Sequence, residues 1–349
     1  MRVLVTGHHG YIGSLLMPLL AERGIEACGL DSDLFETCTF GPPVSERWPS
    51  MRKDLRDVTV GELEGFDAVM HLAALSNDPL GDLNPKLTYD INLDGSLRLA
   101  RLAKAAGVSR FLFSSSCSNY GASGDTLLDE QAELAPLTPY AVSKVKLEVE
   151  LARLADATFT PVFLRNATAY GISPRLRVDL VLNNLTAWAV TTGEIVLQSD
   201  GTPWRPSVHV EDICRAFLLL LEAPREKVHA EAFNIGASAE NYRIRELAEI
   251  VGETIPGCEV TFAQGAGPDA RNYRVSCDKL AHAFPEFRLK WNARSGAREI
   301  YEAYVEAGLT KAEFDGPRYK RLAHIRHLLE AGTLSNDLRW TATALAVST

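Results

Sequence analysis

The chain has 349 residues, 46% of them hydrophobic and 23% charged, with a formal net charge of −9. That length leaves room for about two domains, or one large α/β domain with an appended lobe, and for a core that needs no disulfide or metal staple. The composition excludes disorder and collagen, and the acidic balance argues against a nucleic-acid partner, because phosphate binding needs basic surface.

In chain order, residues 2–6 (RVLVT) read as a short apolar strand before a glycine cluster, and residues 11–23 carry apolar side chains at helical spacing up to Gly24. Residues 27–30 predict a second strand closed by Asp31, and residues 68–73 (AVMHLA) a third. Residues 92–106 predict an amphipathic helix stopped by Gly107, residues 110–114 a strand, 140–155 a helix and 161–165 a strand. Strands alternating with helices predict a doubly wound parallel sheet covered on both faces. Beyond residue 165 turn signals become dense, and the helices at 210–221 and 244–251 and the strand at 232–235 no longer alternate strictly. The expected fold is α/β, with a dinucleotide-type sheet domain over 1–165 and a smaller mixed α/β substrate lobe over 166–340, parts of which return to the sheet. Residues 341–349 read as a loose tail, with Trp340 placed to anchor its start.

The opening apolar run breaks at Gly7 to Gly10, and no run approaches the ~20 residues of a membrane span. Six scattered cysteines, with no Cys-x-x-Cys pair, fit reduced thiols and argue against structural zinc. The expectation is a soluble cytoplasmic protein with no membrane partner and no metal.

Gly7, Gly10 and Gly13 stand in Gly-x-x-Gly-x-x-Gly spacing between the first strand and the first helix. Glycines there permit a tight turn and let backbone approach a pyrophosphate at a helix N-terminus. The bland alternative is a strand-to-helix turn with no ligand. Against it stand the flanking strand and helix and Asp31 at the next strand end. A carboxylate at that place accepts from both hydroxyls of an adenosine ribose and repels a 2′-phosphate, and no arginine follows it, so the expected cofactor is NAD rather than NADP. Tyr140 and Lys144 are four apart on a predicted helix and share a face, where the lysine's charge would lower the phenol pKa from ~10.

In these motifs the sequence resembles the extended short-chain dehydrogenase/reductases of the NAD-dependent epimerase/dehydratase type, Rossmann-fold enzymes that act on nucleotide-linked sugars. The resemblance is carried by Thr6 to Gly13, His71 to Ala74, Asn92, Ser114 to Gly121, Pro139 to Lys144, Arg165 to Gly171 and Arg205 to Asp212. It implies Tyr140 as general base, Lys144 as its charge partner and Ser116 as hydrogen-bond donor to the reacting oxygen. It implies cofactor contacts from Gly7, Gly10, Tyr11, Ile12, Gly13, Asp31, Asp54, Leu55, Leu72, Ala73, Ala74, Asn92, Tyr140 and Lys144. Substrate contacts are expected from Ser76, Ser116, Thr168, Asn184, Arg205 and Arg271, the arginines being suited to a diphosphate by their planar fork. The implied partner is a nucleotide-diphosphate sugar, and the implied assembly a homodimer.

The departures from the family pattern narrow the chemistry. Family 4,6-dehydratases carry Asp-Glu after the Ser116 position, where this chain has Cys117 and Ser118. Family uronic-acid decarboxylases keep a glutamate, and 3,5-epimerases a cysteine, at the Ser118 position. A 4-epimerase needs only the serine, tyrosine, lysine and cofactor. The sequence therefore favours an NAD-dependent nucleotide-sugar epimerase working through a transient 4-keto sugar. The alternatives are a dehydratase, multi-centre epimerase or reductase using Cys117 as acid or base, and a non-catalytic dinucleotide sensor. Cys117 reads either as a tuned thiol or as a small space-filler. Thr168 stands where the family has asparagine, and neighbouring Asn166 is expected to point away from the site. Glu211 and Asp212 read as an acid pair at a helix N-terminus.

Overall fold

Seven strands pair side by side, all parallel, in a computed structural model that describes residues 1–41, 48–267 and 272–341, without the side chains of 264–267. Across the sheet they are Ala232–Ile235, Thr160–Asn166, Arg110–Ser116, Ala68–His71, Arg2–Thr6, Glu26–Asp31 and Ser50–Arg52. In order of sequence this is 3-2-1-4-5-6-7, so the winding reverses between the first and fourth strands and opens a crevice at their carboxyl ends. Ala68–His71 and Thr160–Asn166 are buried at every position, as central strands covered on both faces must be.

On one face, helices Gly13–Glu22 and Val210–Glu222 pack Leu16, Met17 and Leu20 with Ile213, Phe217 and Leu220. On the other, helices Ser96–Ala105 and Pro139–Leu154 bring Leu99, Ala103, Leu147 and Leu151 onto Phe111 and Phe159. Each such Leu or Phe contributes about 1.5–3 kcal/mol of burial free energy. The second lobe is built from helices Val181–Thr192, Ile244–Thr254 and Ala293–Glu306 around Leu182, Leu247, Ile300 and Tyr304. It carries a three-stranded sheet of Thr168–Tyr170, Trp204–His209 and Asn241–Arg243.

Two later segments return to the first half. Strand Ala232–Ile235 joins the sheet edge beside Thr160–Asn166. Helix Arg321–Glu330 and the turn after it lay Ile325, Leu334 and Leu338 into the core of the first half. The Trp340 indole donates to Ser32 O at 2.6 Å, which ties this segment to the loop after the second strand. Residues 342–349 of the expected tail lie outside the described residues. Among the described residues no helix is long and apolar enough to cross a membrane.

Candidate active site

A cavity of about 1360 Å³ runs along the crevice and between the lobes. Its floor is the glycine loop. Gly7 has φ +74°, and a Cβ there would lie 2.8 Å from Ala73 N, while one on Gly13 would lie 2.3 Å from Gly7 O. Side chains are therefore excluded, and the loop backbone packs directly against the end of the fourth strand. Ile12, Leu72, Ala73 and Ala74 continue this wall. Tyr11 also lines it, and its phenol donates to Gly171 O at 2.7 Å, tying the two lobes together.

Asp31 lines the cavity at the end of the second strand. One carboxylate oxygen accepts from His9 N at 3.1 Å and the other from Asp33 N at 2.9 Å, which fixes the group while each oxygen keeps a further lone pair. Burial, with Asp33 adding, pushes its pKa up. Asp54 and Leu55 are also on the wall, but the Asp54 carboxylate is engaged by Arg56 Nε at 3.0 Å and Nη2 at 2.7 Å.

Helix Pro139–Leu154 starts at Thr138, whose hydroxyl accepts from Ala141 N and donates to Asp78 at 2.6 Å. Proline at the first helical position suits this start. The helix presents Tyr140 and Lys144 to the cavity, with Lys144 Nζ 5.7 Å from the Tyr140 ring centre and donating to Ser114 O at 2.7 Å. Ser116 faces them and hydrogen-bonds the Tyr140 phenol. Its oxygen accepts from Ser118 Oγ at 2.9 Å, so its own proton remains available to donate. The expected low phenol pKa is not what this arrangement produces. Burial pushes Tyr140 up to about 12, Asp78 adds to that, and Ser116 and Arg177 oppose it. Burial also lowers Lys144 to about 7, against the pull of Glu148.

Behind these residues Glu148 and Arg165 form a buried ion pair at 2.7 Å. Glu148 also accepts from Ser115 Oγ and from Asn119 Nδ2 at 3.1 Å, which links the tyrosine helix to the strand carrying Ser116.

Of the expected substrate contacts, Ser76, Thr168, Asn184 and Arg205 line the cavity, and Arg271 lies outside the described residues. Three expectations change. Cys117 is not on the wall: its thiol donates to Arg165 O at 3.1 Å, inside a separate small core with Tyr120, Val275 and Cys277. Burial there, with Cys277 adding, pushes the thiol pKa far up, so the group is sealed off from chemistry in the cavity. Asn92 is not on the wall either. A wide helical turn over Asp90–Gly95 aims it at Leu75, whose N–H and C=O it binds at 2.8 and 3.1 Å, so it shapes the loop after the fourth strand. Asn166, by contrast, does line the cavity, and it donates to Ser114 Oγ at 3.0 Å.

Sequence reasoning missed Arg177, a buried guanidinium on the wall that forks onto Asp179 at 3.0 and 3.1 Å and reaches Ser76 Oγ at 3.4 Å. It also missed Asp78 and a stretch of wall from the C-terminal helix. Arg177-x-Asp179 sits in a turn-rich stretch with no periodicity to mark it. Glu211 and Asp212 do begin a helix, and their carboxylates hold Lys290 and Trp291. Among the described residues no cluster could hold a metal ion.

The residues fit NAD: a side-chain-free loop opening a helix, a fixed carboxylate at the second strand end, and Tyr140, Lys144 and Ser116 farther along the same cavity.

Comparison with known proteins agrees. The model of the NAD dependent epimerase/dehydratase family matches residues 3–236. UDP-glucose 4-epimerase of Bacillus subtilis is 27% identical over 326 residues, covering 86% of this chain and 94% of that one. The structure of MoeE5 in complex with UDP-glucuronic acid and NAD is similar with a TM-score of 0.76 at 26% identity, over 88% of this chain and 100% of that one. DesIV, the dTDP-glucose 4,6-dehydratase of Streptomyces venezuelae with NAD and TYD bound, has a TM-score of 0.76 at 25% identity, over 90% of this chain and 100% of that one.

Proposed function

The chain belongs to the NAD-dependent epimerase/dehydratase family, and on that premise we propose that it inverts C4 of a nucleotide-diphosphate sugar through a transient 4-keto species. The observation that carries this reading is the content of the cavity next to Ser116: Tyr140 and Lys144 are there, while Cys117 is sealed behind the wall and position 118 is a serine.

NAD held by the glycine loop, Asp31, Tyr140 and Lys144 would supply a reversible hydride acceptor. This chain's residues handle the proton. Tyr140, as its phenolate, takes it from the C4 hydroxyl as the ketone forms, becoming the neutral phenol, and gives it back afterwards, with Ser116 donating to the same oxygen. Lys144, near 7 and charged to a useful extent at neutral pH, stabilises the phenolate that has to stand ready before the transfer. Arg205 is buried and lines the cavity in the second lobe, which supports its assignment to the diphosphate. Inversion requires the keto sugar to present its other face. The cavity exceeds the roughly 300–1,000 Å³ of ordinary single-ligand sites, as one shared by a dinucleotide and a nucleotide sugar must.

Asp78 favours a second reading. Its side chain lines the cavity beside Tyr140, held by Thr138, and a dehydratase or multi-centre epimerase needs such a carboxylate to move a proton on carbon. The experiment is to incubate the NAD-loaded protein with UDP-, dTDP- and GDP-sugars in deuterated water and read the products by NMR. Inversion at C4 without solvent deuterium is expected. Deuterium at C3 or C5 would replace the first reading with the second, and failure to convert any of these sugars would overturn both.

A further inference from the structure

We propose that the C-terminal segment 320–341 is part of the cofactor site, a strap that crosses the cavity and holds the dinucleotide through successive turnovers. The proposal rests on NAD binding and not on which sugar is converted.

Lys320, Arg321, Leu322, Ala323, Arg326 and Leu338 all lie on the cavity wall. The segment is tied to the loops that follow the second and third strands, the adenosine side of a dinucleotide site. His324 Nε2 bonds Leu34 O at 3.0 Å, Trp340 Nε1 donates to Ser32 O at 2.6 Å, and Arg56 Nη2 donates to Asp337 O at 2.9 Å. Arg339 pairs with Asp57. On the other side, helix Arg321–Glu330 packs on helix Asp78–Asp82, and Arg321 Nη2 donates to Arg175 O at 3.1 Å. The segment thus reaches both banks of the crevice.

Arg321 gives the strap a chemical function. It is 2% exposed, its guanidinium lies 4.1 Å over the Phe35 ring, and its Nη1 has no hydrogen-bond partner. A buried guanidinium nitrogen without an acceptor is unfavourable, and an anionic oxygen supplied by a ligand removes that cost. The ligand of this cavity carries a diphosphate, for which the guanidinium fork is the matching donor. We assign Arg321 to that diphosphate. A cofactor under such a strap leaves only when the strap lifts. This suits a reaction that returns NAD to its starting oxidation state and has no need to exchange it.

The test reads cofactor exchange and needs no turnover. Protein loaded with isotope-labelled NAD is chased with excess unlabelled NAD, and the bound label is followed over time. Trp340→Ala should release label at least ~10-fold faster, a change of ~1.4 kcal/mol in the barrier. Arg321→Met should weaken ADP-ribose, which keeps the diphosphate, by at least ~10-fold in calorimetry. If both variants stay folded by circular dichroism and both values stay within twofold of the parent, the strap is refuted. If either variant fails to fold, Arg339→Gln, which removes only partly exposed ion pairs to Asp57 and Asp337, carries the test: faster release supports the strap and unchanged release overturns it.

Discussion

Replacing Glu148 with glutamine keeps the side-chain shape and removes one charge from behind the catalytic helix. In the parent, Arg165 donates Nη2 at 2.7 Å and Nε at 3.1 Å to one carboxylate oxygen, and Asn119 donates at 3.1 Å to the other. The two side chains are 8% and 6% exposed, so the Arg165 charge has little water to turn to. Breaking one partner out of a buried pair costs about 3–5 kcal/mol. At ~2.1 cal/mol/K of unfolding entropy per residue, a chain of 349 residues should lose about 4–7 °C in Tm. Glu148 also raises the Lys144 pKa, which burial has lowered to about 7. Without it that pKa falls further, so activity that needs a charged Lys144 is lost at a lower pH as pH rises. Thermal unfolding at saturating NAD and a pH profile of turnover check both parts. Glu148→Met combined with Arg165→Met should regain most of the stability, because it replaces the pair with apolar groups of similar volume. A Tm within 1 °C (about 0.7 kcal/mol) of the parent and an unmoved alkaline limb would refute the reasoning.

Tyr140→Phe should lower turnover by ~100-fold or more while NAD binding is nearly kept; full activity would place the proton on another group. Asp31→Ala should narrow a preference for NAD over NADP of at least ~10-fold, or ~1.4 kcal/mol, read by titration of each cofactor. Cys117→Ser should leave turnover within about threefold of the parent, since the thiol faces a closed core, and a ~100-fold loss would reinstate it as an acid or base. Gly13→Ala places a Cβ 2.3 Å from Gly7 O and 2.5 Å from His8 Cα, both backbone, so the loop must move; NAD affinity should drop by at least ~10-fold in calorimetry.

The glycine loop, Asp31 and the Tyr140–Lys144 face were legible in the sequence because each depends on local geometry: a turn, a strand end and a helical repeat. The sequence leaves Cys117 open between a tuned thiol and a space-filler because its facing is not legible there. Ser116 ends its strand toward the cavity, and the next residue turns the other way into the core. Asn92 was placed by family pattern, but the wide turn at Asp90–Gly95 that redirects it has no sequence signature. The C-terminal wall was invisible for a different reason. Helix Arg321–Glu330 is rich in Arg and His and reads as a surface helix, and its partner Leu34 lies 290 residues earlier. No local pattern reports a contact over that separation.

The strand Ala232–Ile235 sets an order of events during synthesis. It closes the edge beside Thr160–Asn166, and helix Val210–Glu222 upstream of it supplies Ile213, Phe217 and Leu220 to the core under the first helix. A nascent chain with only its first 165 residues outside the ribosome has a sheet with an open edge and one face covered by helix Gly13–Glu22 alone. Such an edge is a template for pairing with other chains. Non-local strand pairing also closes slowly, because the loop entropy is lost before the contacts form. The period between translation of residues 166 and 235 is therefore when this protein most needs protection from aggregation, and a fragment cut after the sixth strand should be recovered as aggregate and not as a free dinucleotide-binding domain.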